Sequence, residues 1–446
     1  MGCQFYQRGI DLREVYDERL GGDTTAFTDG KSAFELSARN LDTPLRRAFE
    51  VGDSFFEQNW VTAPASTKAR DGLGPTMNAL SCSSCHSHDG RARPPENAED
   101  PVRGLLLRLS IPGPDGPVAE PVYGDQLQDR SILGVPPEGR IGIIYTDISG
   151  NYPDGTEYSL RRPTYGIEDP AFGLVHPEVM ISPRIAPSTI GMGLLEAIPG
   201  EDMLALADPD DANNDGISGR ANYVWDIRND KLSLGRFGWK ANQPTVEQQA
   251  AGAFLGDIGI TSSLLPDQNC PQAQSACAQA PNGGEPELTE ARLEKVTIYT
   301  QTLAVPAMRN TEDDEVKQGA RLFVQSQCSA CHTPRHETGN THPLEPLRGQ
   351  VIYPYTDLLL HDMGEGLADH RPDGLASGTE WRTPPLWGIG LVEVVNGHTF
   401  FLHDGRARSL EEAILWHDGE AKESRDNFMG LTLEERNALL KFLGSL

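Results

Sequence analysis

The chain has 446 residues, 38% of them hydrophobic and 23% charged, proportions that exclude wholesale disorder and leave room for two or three domains. A formal net charge of −27 repels phosphate, which argues against a nucleic-acid partner and suits a solvated acidic surface in an extracellular setting. No stretch approaches the roughly 20 continuous apolar residues of a membrane span.

In chain order, the start "MGCQFYQRG" places Gly2-Cys3 like the last two residues of a bacterial lipobox that lacks its apolar part. A lipid anchor at Cys3 is one reading and a plain surface cysteine the other. "TPLRRAFEVGDSFFEQNW" (43–60) then carries helical periodicity through Leu45, Phe49, Val51, Phe55 and Phe56. It leads into "SCSSCHSHDG", in which Cys82, Cys85 and His86 form a CxxCH block. Proline and glycine punctuate residues 60–250, so loops dominate there. Short strands are expected at 140–150 and as a hairpin within 223–241.

"DANNDGISG" sets Asp211, Asn213 and Asp215 at alternate positions before Gly216, the first half of a Ca²⁺ loop. The closing glutamate of a standard loop is replaced by Asn222, so closure falls to Asp208, Asp226 or backbone carbonyls. An Asx-rich turn without metal is the alternative. Cys270 and Cys277 flank a Pro/Gln/Ala-rich loop and read as a local disulfide, hence an oxidising periplasmic or extracellular compartment.

Three more helical patterns precede the C-terminus: 287–306, with Thr289 as cap and Pro306 as stop, 313–327, and 409–419 with Ser409 as cap. A fourth, 431–446, is capped by Thr432. The second pattern runs into another CxxCH block, Cys328, Cys331 and His332. The expected fold class is mainly α with extensive loops. It divides into an N-terminal cytochrome c-like domain (30–170), a loop-rich insertion (171–306) bearing the Ca²⁺-like loop, the disulfide and short β hairpins, and a C-terminal cytochrome c-like domain (307–446).

A CxxCH block lets two thiols add to the vinyl groups of one haem while the next residue's imidazole binds the iron. A thioredoxin-type dithiol would not need the histidine in both copies, and a four-cysteine zinc site would leave both histidines redundant. Two covalently bound haem c groups, with His86 and His332 as proximal ligands, are therefore the expected cofactors. His88 is too close to His86 to reach the opposite face and reads as a propionate or loop partner. His176, Met180 and Met192 are better placed for the distal side because they lie in a separate loop-rich segment, and of these His176 is the candidate ligand of the first haem, a turn residue before proline being the alternative. Five tryptophans, Trp225, Trp239, Trp381, Trp387 and Trp416, line haem pockets or are core aromatics.

"RTPPLWGIG" (382–390), "FFLHDGRARSLEEAILWHDGE" (400–420) and the terminal helix resemble the C-terminal haem domain of bacterial dihaem cytochrome c peroxidases. The superfamily also includes the methylamine-utilisation dihaem enzyme. "RDGLGPTMNALSCSSCHSHDGRARPPE" (70–96), "HPEVMISPRIAPSTIGMGLLEAIPG" (176–200), "DANNDGISGRANYVWD" (211–226) and "LLLHDMGEGLADH" (358–370) are similar to the di-haem oxidoreductase (putative peroxidase, "thiol oxidoreductase-like") family. The resemblance covers nearly the whole chain. It implies that the residue fourteen positions after His403, His417, is the sixth ligand of the second haem, with Met363 as runner-up. It also implies that Glu196 matches the distal-pocket glutamate that handles protons. A surface position, or a salt bridge to Arg184, is the alternative for Glu196.

Three functions compete. In the first, one haem reacts with a small oxidant such as peroxide and draws electrons, through the other, from a redox partner protein. In the second, both haems are six-coordinate and the chain is a non-catalytic electron carrier. The third, covalent modification of a partner protein, lacks support because His417 stands where the methylamine-utilisation enzyme has tyrosine.

Overall fold

Six helices give the chain its frame: α1 (Thr43–Glu57), α2 (Val246–Ala253), α3 (Glu290–Thr302), α4 (Asp314–Gln325), α5 (Leu410–Leu415) and α6 (Leu433–Leu443). They belong to a computed structural model that describes residues 11–97, 99–114 and 116–446. Cys3, with its lipid-anchor expectation, lies outside the described residues.

The five helices expected from periodicity form, and their ends follow capping chemistry. Asp42 accepts from Leu45 N at the start of α1, with Pro44 in the first turn. Ser409 caps α5, and Thr432 and Glu435 make a capping box on α6. At α3, Thr289 occupies the cap position but its side chain makes no capping bond.

Two helix pairs repeat one arrangement. The helix before each CxxCH block crosses a helix from much later in the sequence, and the crossing point is a glycine. A side chain at Gly52 of α1 would overlap the Lys295 carbonyl oxygen of α3, and one at Gly319 of α4 would overlap the Ala438 carbonyl oxygen of α6. Only a residue without Cβ lets the backbones approach this closely. Gly319→Ala is expected to lower stability by about 1–3 kcal/mol through overpacking, read as a lower urea midpoint. Gly430→Ala, whose added Cβ meets nothing, is the neutral control.

The expectation of a mainly α fold is corrected by the strands. Helix accounts for 28% of residues and strand for 19%, in several small sheets. The strands β1 (Leu105–Gly113), β2 (Arg140–Asn151), β3 (Glu157–Glu168) and β4 (Met180–Ile185) form the larger ones. β2 and β3 make one long antiparallel hairpin, from Arg140↔Glu168 to Asn151↔Glu157. β1 pairs with β4, Leu105 opposite Ile185 and Ser110 opposite Met180, and with the short strand Gly116–Val118. The hairpin expected within 223–241 is present as Tyr223–Asp226 against Lys231–Leu234. Of these pairings only that of β1 with β4 joins segments distant in sequence, which local periodicity does not reveal.

Alternation along β1 positions the site. Leu105, Leu107 and Leu109 are buried in the core, while Leu106 and Arg108 point to the other face and line a cavity. The largest hydrophobic cluster draws residues from all three expected segments, such as Leu107, Leu194 and Phe323. Cys270 and Cys277 form the expected disulfide. Within its ring, buried Gln274 donates to Glu138.

Candidate functional site

Both CxxCH blocks open onto one cavity of about 430 Å³. The two blocks share a geometry. Cys82–Ser84 and Cys328–Ala330 are single 3₁₀ turns, and the histidine N–H closes each turn on the first cysteine's carbonyl, at 2.9 Å for His86 and 3.0 Å for His332. His86 Nδ1 donates to Pro187 O at 2.7 Å and His332 Nδ1 to Tyr355 O at 2.9 Å. A carbonyl partner fixes the proton on Nδ1 and leaves the Nε2 lone pair for a metal.

Burial pushes the thiols of Cys85 and Cys328 up to about 12 and raises those of Cys82 and Cys331 as well. A redox dithiol works through a thiolate, which burial disfavours at these four sulfurs. Burial also lowers His86, His417 and, to about 4, His332, which keeps the imidazoles neutral as metal ligands must be.

His417, just past the end of α5, donates from Nδ1 to Ala413 O at 2.7 Å, so its Nε2 is also free. Its ring centre lies 6.5 Å from that of His332. A metal bonded to both Nε2 atoms at about 2.0–2.1 Å would set the ring centres about 6.3 Å apart. The separation fits one ion between the two rings.

The cavity also presents five arginines, Arg91, Arg108, Arg184, Arg382 and Arg425. Arg91 donates to the carbonyls of Phe400 and Leu402, and Arg382 to those of Gly238 and Thr383. Neither hydrogen-bonds a carboxylate among the described residues, and burial brings both down to about 10. Buried guanidiniums without anions suit a cofactor whose edge carries carboxylates. Thiols, free imidazole nitrogens and these cations all fit haem.

Among the described residues a single acidic side chain, Asp257, lines the cavity. It sits in a π turn, Phe254–Ile258, that continues α2. Val246, Gln249, Ala253 and Asp257 line the cavity at helical spacing. Gln126 Nε2 donates to Asp257 Oδ1 at 2.8 Å, and burial raises the Asp257 carboxyl. π turns are frequent at functional sites.

Other expected site residues fall elsewhere. Glu196 is turned away from the cavity: it accepts from Val246 N, Gln301 Nε2 and His342 Nε2 at 2.8, 2.6 and 3.2 Å. Arg184 pairs with Asp373, not with Glu196. His176 sits in a turn outside the cavity, its Nδ1 accepting from Glu178 N and its own N–H donating to Glu120. His88 is a loop partner, 2.6 Å from Glu35. Met192 and Met363 line the cavity, whereas Met180 lies in β4. Trp239, Trp381 and Trp387 line it, while Trp225 is exposed and Trp416 lies in the core.

In the Ca²⁺-like loop the side chains cap their own backbone. Asp211 accepts from Gly216 N, Asn213 from Asp215 N and Asp215 from Ile217 N. Among the described residues no three His, Cys, Asp or Glu side chains converge on a metal-ion position.

Sequence reading gave His361 no role. It is buried, and its ring lies 2.8 Å from Asp357 and 2.7 Å from Glu420, with Cys331 Sγ at 3.6 Å. Burial opposes its charge, but Asp357, Cys331 and Glu420 outweigh it and hold the ring protonated. Asp257, Arg91 and Arg382 were missed as well, since isolated charged residues leave no periodic signal.

No curated protein matches this chain. Among solved structures, hydrazine synthase of Kuenenia stuttgartiensis, determined under xenon pressure, matches over 92% of this chain and 94% of its own at 12% identity and a TM-score of 0.34. The family described as "Di-haem oxidoreductase, putative peroxidase" covers residues 15–108 and 115–446, and this chain belongs to it.

Proposed function

We propose that Cys82/Cys85 and Cys328/Cys331 each anchor one haem c by thioether bonds, and that the protein is a peroxidase-like oxidoreductase of the periplasm or cell exterior. Haem iron, when bound, supplies the electron transfer that no side chain can provide. His86 and His332 are the proximal ligands, and Arg91 and Arg382 pair with propionates.

The observation that carries this reading is the inequality of the two ends of the cavity. His332 and His417 have ring centres 6.5 Å apart, a separation at which both could hold one iron, which would close the second haem and leave it to relay electrons from a redox partner protein. Among the described residues no imidazole ring pairs with His86 as His417 does with His332. Of the remaining cavity histidines, His361 is clamped by two carboxylates, while His403 has an unpartnered Nε2 but its ring is held flat against Trp381 at 3.8 Å. The first haem is thereby left open to a small oxidant.

Reducing hydrogen peroxide to two waters takes two electrons and two protons. Asp257 is the carboxyl positioned in the cavity to hold and pass a proton. Gln126 orients it, and the apolar wall of Leu106, Ala253 and Phe254 keeps water out.

The purified protein tests this directly. One high-spin and one low-spin haem are expected, with a spectral change when peroxide meets the half-reduced form. Asp257→Asn is expected to slow peroxide reduction by about 10²–10⁴-fold while leaving haem content unchanged. Two low-spin haems inert to peroxide and carbon monoxide would instead support the carrier reading, which Met192 in the cavity wall favours as an alternative sixth ligand.

A further inference from the structure

A second void lies beside the main cavity. It holds about 10 Å³, the space of one water molecule. Asn78, Cys85, Asp129 and Asp257 supply its functional lining, and the rest is apolar side chain and Gly104. Asp257 lines both spaces, whereas Asp129 lines only the small one and is partly exposed. The void therefore separates an outer carboxyl from an inner one.

Two amides hold those carboxyls in place. Asn78 Nδ2 donates to Asp129 Oδ1 at 2.9 Å and to Leu127 O, and Asn78 Oδ1 accepts from Gln126 Nε2 at 2.7 Å. Gln126 Nε2 also reaches Asp257 Oδ1 at 2.8 Å. Each carboxyl is thus tied by its Oδ1, and neither Oδ2 has a hydrogen-bond partner among the described residues. A water between them needs such open polar partners.

We infer that Asp129, one water in this void and Asp257 form the path by which protons reach the chamber beside Cys82–His86. The inference rests on the peroxide-reducing reading, for which the path supplies the two protons per peroxide. The electrons come from the redox partner. A carboxyl pair bridged by water passes protons because the open Oδ2 of each group can take one from the water as carboxylate and give it up again as acid. Burial raises both carboxyls, which shifts each toward its protonated form. The opposing charges facing them are Arg130 at Asp129 and Arg108 at Asp257, with Asp125 adding to the rise at Asp257.

The test compares wild-type holoprotein with Asp129→Asn and Asp129→Glu by stopped flow. One measurement follows the first haem's absorption after a pH jump, the second follows peroxide reduction in H₂O and D₂O, and the third follows carbon monoxide binding, which needs no proton. Asp129→Asn is expected to slow the first two at least about tenfold, to enlarge the solvent isotope effect, and to leave carbon monoxide binding unchanged. Asp129→Glu restores both rates. The path is overturned if Asp129→Asn matches wild type, if Asp129→Glu is equally slow, or if carbon monoxide binding slows too. A wild-type first haem whose spectrum ignores the pH jump also overturns it. A wild-type protein inert to peroxide, yet slowed by Asp129→Asn after the pH jump, keeps the path and rejects the peroxidase reading.

Discussion

His417→Gly is expected to turn the second haem from low-spin to high-spin, leaving the first haem's absorption and the haem content of the chain unchanged. The reason is geometric. His332 and His417 each spend Nδ1 on a backbone carbonyl, their ring centres are 6.5 Å apart, and burial keeps both neutral. With the ring gone, no other imidazole ring among the described residues pairs with His332, and His361 is held by Asp357 and Glu420. Adding free imidazole should restore the low-spin spectrum by refilling the space. His417→Met should remain low-spin and raise the reduction potential, since a thioether ligand favours the reduced iron. An unchanged spectrum in the glycine variant would remove His417 from the coordination sphere and promote Met363, which also lines the cavity.

Asp369→Ala is expected to cost about 3–5 kcal/mol of stability, more than any surface change, because it strands a buried ammonium. The Lys240 and Asp369 side chains are fully buried and meet at 2.8 Å. Lys240 also donates to Ser377 O at 2.7 Å and Arg371 O at 3.0 Å, and its ammonium lies 4.5 Å from the Trp381 ring centre. Burial already draws Lys240 down to about 8 against the pull of Asp369, so losing the carboxylate leaves the charge with carbonyls alone. The double variant Lys240→Met/Asp369→Leu should recover part of the loss, because no charge is left unpaired although Ser182 Oγ and Arg371 N lose their acceptor. Urea midpoints of the holoproteins decide the matter. A single variant within about 1 kcal/mol of wild type would show that water reaches this pair. Trp381 lines the cavity and stacks on His403, so the damage should also broaden the haem spectrum.

Much of this was legible in the residues. The CxxCH blocks carry their chemistry in spacing, and α1, α4 and α6 announce themselves by period and cap. α2 did not, because "VEQQAAGA" is rich in alanine and glutamine and shows no apolar stripe. β1, β3 and β4 were hidden by Pro112, Pro163 and Pro183 inside them, since proline argues against a strand until its edge position is known. The direction of a carboxylate is equally invisible. Glu196 ends an apolar run and reads as a pocket acid, yet it bonds Gln301 and His342, while Asp257, which no motif marks, lines the cavity. The resemblance gave the family and the His417 position, but not the acid that points inward.

The two glycine crossings differ in one respect that bears on how the protein is made. α4 and α6 are joined by residues 326–432, whereas α1 must wait for α3, beyond residues 58–289. Synthesis proceeds from the N-terminus, so Cys82 and Cys85 emerge while the helix that will cover their neighbour is still unmade. Closing so long a loop is slow, and Phe49 and Phe56 stay exposed in the meantime. The early part of the chain is thus the portion most dependent on chaperones, and the most vulnerable to proteases, before the polypeptide is complete.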